Sequence, residues 1–321
     1  MKLVIPVSKH DRHLIPSFVK CLDKFPMGTE HDLLIIGSKE NEEVILDFEK
    51  QIKHLFDSSE THIIADTMLG WPMSCNFYFQ QACAHIRKDK ELDAFMWFEL
   101  DTVPVKEGWL DLISFEYYSD TTRAVKEKRD PMIYMGAKER VYEGRNGELV
   151  PESVAGHKMA QVGVYSTEIC DSPVLNSLSM TTRHWTHVIQ WYVVKELKDS
   201  PLIQNNWRTK NYRYSSGQIV CDSVANLAWD VHWNKAVNED AVIVHGCKDD
   251  SLVKLLLNNN SNEDMKIATN LTVEEAEEIA DDIEDKVEIT ESELDRKLKI
   301  YQKRLANLKF FQKKTPQEEN K

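Results

Sequence analysis

Ala94–Leu110 reads AFMWFELDTVPVKEGWL. The run from Ala94 to Phe98 is apolar and of strand length. It breaks off at Glu99-Leu100-Asp101, two carboxylates that the two-residue repeat of an extended chain puts on one side of the backbone. Open α/β sheets bind ligands outside the carboxyl ends of their strands, and hard divalent cations that also grip phosphates are held by one or two carboxylates plus the phosphates. A buried strand that delivers two acids to its C-terminal end therefore points to a cation and a phosphate-bearing ligand. Taken alone, the triplet could equally cap the strand and open a turn ahead of Pro104 and Gly108.

Upstream of this stretch the pattern alternates strand and helix. Leu3–Val7 reads as a buried strand ending in Ser8-Lys9-His10-Asp11. A helix follows, opened by Pro16 and striped by Phe18, Val19, Leu22 and Phe25. Leu33–Ile36 is a second strand, backed by an amphipathic helix through Val44, Ile45, Phe48, Ile52, Leu55 and Phe56. His62–Ala65 is a third, running into Asp66, after which the turn Gly70-Trp71-Pro72-Met73-Ser74-Cys75-Asn76 feeds a helix carrying Phe77, Ala82, Cys83 and Ile86. Such a βαβα opening predicts a mostly parallel sheet with Ser8, Asp11, Asp66, Glu99 and Asp101 at the ends of its strands.

Downstream the character changes. Met132–Met135, Val141-Tyr142, Leu149-Val150 and Met159–Tyr165 read as strands, with a hairpin turn at Asn146-Gly147. Trp185–Leu197 reads as a helix. Ile203–Tyr214 interleaves Trp207, Tyr212 and Tyr214 with Arg208, Lys210 and Arg213. That mixture suits either a surface gripping phosphates and stacking on bases, or a hairpin whose rings pack inward while its charges stay in water. Ala241–Val244 is again an apolar strand, and it ends in His245-Gly246-Cys247-Lys248 before a Leu-rich helix from Ser251 to Leu257.

The 321 residues suggest one large domain or two ordinary ones, and 42% hydrophobic with 29% charged residues is the balance of a soluble globular protein. We divide the chain into a domain over 1–257, a polar linker over 258–271, a helical extension over 272–314 and a disordered tail over 315–321. Thr272-x-x-Glu275 and Thr290-x-x-Glu293 have capping-box spacing. In the second helix Leu294, Leu298, Tyr301, Leu305 and Leu308 form a short heptad seam, which predicts docking on the main domain or a homo-oligomer. Charge is segregated in this extension: twelve acids and one lysine lie between Glu274 and Asp295, eight basic residues and no acid between Arg296 and Lys314. The formal charge of −13 weighs mildly against a polyanionic partner. No apolar run has membrane-spanning length, and Pro6 interrupts the one apolar segment near the start, so neither membrane insertion nor secretion is expected. The six cysteines are scattered without metal-type spacing, which fits reduced thiols in a cytoplasm.

Glu99-Leu100-Asp101 and the distant His245-Gly246-Cys247-Lys248 are more specific together than apart. With Pro6-Val7-Ser8-x-His10-Asp11, Gly70-Trp71-Pro72-x-x-x-Asn76, Pro104-x-x-x-Gly108-Trp109-Leu110 and Gly163-Val164-Tyr165, they resemble the GT-A fold nucleotide-sugar glycosyltransferases, and within these the enzymes encoded by tailed phages. The resemblance runs from Leu3 to about Leu257 and departs from the family's DxD pattern in having Glu99 at the first acid.

The resemblance implies an α/β, Rossmann-like domain with a mostly parallel mixed sheet, followed by the helical extension. It implies a hexosyl- or pentosyltransferase using a nucleoside diphosphate sugar such as a UDP-sugar, with Mn2+ or Mg2+ held by Asp101 and His245. Glu99 would serve the same ion, its water shell or the donor ribose. Ser8, Asp11 and Asp66 would face base and ribose, and Asn76, Gly246 and Lys248 the diphosphate or donor sugar. Glu168 and Asp222 are the acids on the acceptor side that could act as base. A phage enzyme of this kind would work in the host cytoplasm on a hydroxymethylated pyrimidine in DNA, with Trp207, Arg208, Lys210, Tyr212 and Arg213 as acceptor surface. A glycan, lipid-linked or protein acceptor, and a non-catalytic nucleotide-sugar binder, are the competing readings.

Overall fold

The computed structural model describes residues 1–65, 73–138, 159–181, 184, 186, 197–200, 202–205, 212–215, 218–221, 241–247 and 251–258. Strand β1 (Lys2–Val7) leads through a 3-10 turn into helix α1 (Ile15–Lys24), with Pro16 in its first turn where a missing N–H costs nothing. Strand β2 (Asp32–Ser38), helix α2 (Glu42–Ile52), strand β3 (Ser58–Ile64), helix α3 (Met73–Ile86) and strand β4 (Ala94–Trp97) complete the repetitive half. A two-residue strand β5 (Val103–Pro104) follows the carboxylate turn, and then comes helix α4 (Trp109–Lys126).

The second half adds strands β6 (Tyr134–Lys138), β7 (Met159–Ser166), β8 (Leu197–Asp199), β9 (Ile203–Asn205), β10 (Tyr212–Ser215), β11 (Gln218–Cys221) and β12 (Ile243–His245). The described chain ends in helix α5 (Ser251–Asn258).

Seven strands form the main sheet in the order β3-β2-β1-β4-β7-β6-β8. The pairs β3–β2, β2–β1, β1–β4 and β6–β8 are parallel, and β7 runs against both its neighbours. This is the α/β class and the mostly parallel mixed sheet that the sequence predicts. Side chains alternate between two cores, as pleating requires. Leu3, Ile5, Ala94, Met96 and Phe98 meet α1, α2 and α4 on one face, while Val4, Phe95, Trp97 and Tyr165 meet α3 and the 3-10 turns after β7 on the other. At about 25 cal/mol per Å² of apolar area, the rings of Phe95, Trp97, Phe98, Trp109 and Tyr165, each 2% exposed or less, contribute heavily to this packing.

Gly163 marks a close approach of backbones in the sheet. It is registered opposite Trp97 on one side and Gly136 on the other, and a Cβ there would lie 2.7 Å from both the Met135 carbonyl and the Tyr134 ring. The sequence reading contains no counterpart of α4, an 18-residue helix. Its Leu197 boundary also needs correcting, because Leu197 opens strand β8. The expected strands at Val141-Tyr142 and Leu149-Val150, most of the Trp185–Leu197 helix, and the whole of the linker, extension and tail over 259–321 lie outside the described residues.

Candidate metal centre

Two neighbouring parallel strands, β1 and β4, bring their C-terminal ends to the same edge of the sheet. Beyond β4 the backbone continues extended: the Phe98 N–H donates to the Val4 carbonyl, and a turn closes where the Thr102 N–H donates to the Glu99 carbonyl, 2.9 Å in each case. Within that turn Leu100 is buried in the core, while the Glu99 and Asp101 carboxylates come within 4.8 Å of one another.

His245 reaches this point because its strand is sewn to the chain just after Asp101. Strand β12 pairs antiparallel with β5, Val244 opposite Val103 and Ile243 opposite Pro104, and parallel with β9 on its other side. Gly246 then turns with a φ of 89°, a conformation open to glycine, and lets the Cys247 N–H donate to the Asp101 carbonyl at 2.8 Å. The backbone itself therefore fixes the His245 loop against the carboxylate turn.

The result is a tight cluster. His245 Nε2 lies 3.3 Å from Glu99 Oε2 and 3.5 Å from Asp101 Oδ1. One ligand atom from each of the three residues falls within 4.8 Å of the other two. The Asp101 and His245 side chains are 1% and 2% exposed, Glu99 21%. Two carboxylates brought this close together and out of water favour a bound cation, because each would otherwise raise the cost of ionising the other. Two oxygens and one imidazole nitrogen make a donor set suited to Mg2+ or Mn2+, so the residues present fit the expected ion.

Glu99 is held by partners that sequence reading did not identify. Trp97 Nε1–H donates to Glu99 Oε1 at 3.1 Å, a link along one face of the same strand. From the facing strand, the Gln161 amide sets one end 2.8 Å from both Glu99 oxygens and the other 2.8 Å from His184 Nε2, and assigning its nitrogen to the Glu99 side gives every contact a donor and an acceptor. Gln161 falls within the Met159–Tyr165 strand that the sequence predicts, two residues before the Gly163-Val164-Tyr165 motif. His184 lies in no predicted element.

The remaining expected site residues are distributed as follows. Ser8 and Asp11 stand at the end of β1, where Ser8 Oγ donates to Asp11 Oδ2 at 2.8 Å. Asn76 is fully buried on α3 and donates to the Leu178 carbonyl at 3.1 Å, which ties α3 to the 3-10 segment beneath it. Glu168 is not brought to the cluster. It follows Ser166, which is registered opposite Ala94 at the other end of β4, and its side chain is exposed. Tyr212 and Arg213 lie on β10, which forms an antiparallel hairpin with β11. Asp66, Trp207, Arg208, Lys210, Asp222 and Lys248 lie outside the described residues.

Ionisation elsewhere follows burial. The Tyr165 hydroxyl is pushed well above its usual value by burial first, then by Tyr134 and Glu99, and it donates to the Gln161 backbone carbonyl at 2.7 Å. The Cys21 thiol is pushed up to about 12, mainly by burial. Five cysteines, Cys21, Cys75, Cys83, Cys170 and Cys247, are free thiols. Among the described residues no helix is long and apolar enough to cross a membrane.

No protein-family model matches the sequence, and the comparison with curated proteins gives no match. Solved structures that resemble the fold include mouse xyloside xylosyltransferase 1 in its apo form, at 11% identity over 76% of this chain and 97% of that one, with a TM-score of 0.41. The galactosyltransferase LgtC bound to donor and acceptor sugar analogues is similar at 7% identity over 77% and 87% of the two chains, TM-score 0.45. The apo bifunctional glycosyltransferase WbbM is similar at 9% identity over 83% and 51%, also with a TM-score of 0.45.

Proposed function

We propose that this chain is a metal-dependent glycosyltransferase that moves a sugar from a nucleoside diphosphate donor, a UDP-sugar, to an acceptor hydroxyl. The observation that carries this reading is the convergence of Glu99, Asp101 and His245, the last 146 residues from the first, at the carboxyl edge of an α/β sheet. Asp101 and His245 would hold Mn2+ or Mg2+, with Glu99 as the third and most solvent-accessible ligand. When bound, such an ion stabilises the negative charge that builds on the departing diphosphate, by about several kcal/mol.

The chain's own part is to hold that charge acceptor in place and to admit the donor. Burial of Asp101 and His245 keeps their heads fixed, so little reorganisation is needed when the diphosphate arrives. Ser8 and Asp11, in the turn after the adjoining strand, would meet the nucleoside, and Gly246 would leave the backbone open to a diphosphate. Inversion at the sugar would need a carboxylate base beside the acceptor hydroxyl. Asp222 remains the acid we assign to that role, since Glu168 lies at the far end of the sheet. Release of UDP from UDP-sugars with Mn2+, compared with excess chelator, tests the reading. Equal rates in the two conditions would refute it.

For the acceptor we propose a hydroxymethylated pyrimidine in DNA, supported by the basic and aromatic run through Trp207, Arg208, Lys210, Tyr212 and Arg213. Phosphate contacts make activity fall steeply with salt, whereas a glycan, lipid-linked or protein acceptor would leave it nearly flat. Free buried thiols support a cytoplasmic setting, and the heptad seam beyond Thr290 supports self-association. Loss of that association on truncation after Asn258 is the expected result.

A further inference from the structure

We propose that Gln161 is a positioning residue for Glu99, itself aligned by His184, and that the pair fixes the Glu99 carboxylate in place for the ion. The inference rests on the metal reading above.

The first support comes from the backbone alone. Strands β4 and β7 pair antiparallel with Trp97 opposite Gly163 and Ala94 opposite Ser166. Carried two residues past Trp97, the same register sets Glu99 opposite Gln161. Directly opposed residues of an antiparallel pair project to the same face, where their side chains meet. Gln161 is therefore aimed at Glu99 by the sheet, and Tyr165, hydrogen-bonded to the Gln161 carbonyl, holds that end of β7 in place.

The second support is the hydrogen-bond logic beyond Gln161. An amide can face Glu99 with its nitrogen or its oxygen, and only the nitrogen makes a bond to a carboxylate. His184 decides the matter. Its Nδ1 receives the Thr186 N–H at 3.3 Å and lies 3.0 Å from the Thr186 hydroxyl, so Nδ1 is an acceptor and the ring proton sits on Nε2. That Nε2–H donates to the Gln161 oxygen and leaves the Gln161 nitrogen for Glu99. Donation therefore runs in one direction, from Thr186 through His184 and Gln161 to Glu99.

The consequence falls on the carboxylate. Glu99 Oε1 receives Trp97 and Gln161, while Oε2 receives Gln161 and faces His245. Gln161 bridges both oxygens and Trp97 adds a second donor to Oε1, so the carboxylate head is held in one orientation with Oε2 beside His245. A glutamate has one more rotatable bond than an aspartate, and this chain of donors removes the added freedom. Partners that orient metal ligands in this way typically change metal affinity by 10–100-fold when lost.

The test is Mn2+ affinity of the full chain without donor, read from the electron paramagnetic resonance of free Mn2+. Gln161→Met keeps the side-chain length and removes the amide; we expect roughly 10-fold or greater weakening. Gln161→Ala is the second variant, and thermal midpoints in chelator confirm that either one folds. His184→Phe should weaken binding less, and the double variant should bind no worse than the Gln161 variant alone, because His184 acts through Gln161. Gln161 variants binding within twofold of wild type would overturn the proposal, as would additive losses in the double variant. Absence of Mn2+ binding by the wild type would instead overturn the metal reading and this inference with it.

Discussion

Asp101→Asn separates a metal ligand from a structural acid, because the two roles predict opposite changes in stability. The substitution keeps shape and removes one charge from a group whose side chain is 1% exposed. With ligand atoms of Glu99 and Asp101 no more than 4.8 Å apart, an effective dielectric constant near 20 gives about 3.5 kcal/mol of repulsion between the two carboxylates, of which His245 offsets a part. In chelator the variant should therefore melt at the wild-type temperature or above it. Mn2+ reverses the order. At one hundred times its dissociation constant, a ligand that binds only the folded state stabilises it by about 2.7 kcal/mol. For a domain of this size that is roughly 4–5 °C in the thermal midpoint.

A neutral amide oxygen in place of Asp101 should remove most of that rise. Differential scanning fluorimetry in excess chelator and in saturating Mn2+, on both proteins, gives the four midpoints needed. A variant that loses several degrees in chelator yet keeps the full Mn2+ shift would refute the reasoning. Asp101 would then be an acid that the fold needs and the ion does not.

Three further outcomes follow from other parts of the fold. His31 is buried against Asp111, and burial holds its pKa below the usual value despite the Asp111 hydrogen bond, with the Met1 ammonium opposing protonation and Asp57 favouring it. The unfolded chain therefore takes up the proton first, so stability should be level above about pH 6.5 and decline as the pH falls below it; a His31→Asn variant whose denaturation profile keeps the same decline would assign it elsewhere. Gly163→Ala forces a Cβ to within 2.7 Å of a carbonyl and a ring and should cost about 1–3 kcal/mol by urea denaturation, and an unchanged midpoint would mean that the two strands can separate freely. Glu168→Gln should leave Mn2+-dependent UDP release within about twofold of wild type, since it changes an exposed residue at the opposite end of the sheet; a loss of 100-fold or more would make Glu168 a working residue after all.

The half of the molecule that positions the carboxylates was legible in the sequence because its physics is local. Strands β1, β2 and β4 are buried on both faces and read as unbroken apolar runs, and α1 and α2 show their stripes. Helix α4 was hidden for the opposite reason. Asp111, Ser114, Ser119, Thr121 and Thr122 are buried on it beside Trp109, Tyr117 and Tyr118, so apolar residues do not mark one face. Asp111 is there to accept from the Thr29 N–H and face His31, a demand set by a turn 80 residues away. Glu99, Asp101 and His245 were found because each ends an apolar strand. Gln161 and His184 carry no such mark, since their roles depend on strand register and on an imidazole tautomer, neither of which sequence spacing encodes.

The glutamate at position 99 is the point where local and non-local information meet. From sequence, its longer arm makes direct ligation by Glu99 less secure than ligation by Asp101. A free glutamate head would indeed lose more rotamer entropy than an aspartate on being fixed. In the folded protein that cost is met before any ion arrives. Trp97, two residues back on the same face, and Gln161, across the sheet, together set the carboxylate with one oxygen inward and the other 3.3 Å from His245. The extra methylene thus carries the head past the end of β4 to where β7 can reach it. A shorter aspartate at position 99 would fall short of the Gln161 amide, so the glutamate and the positioning glutamine are one arrangement.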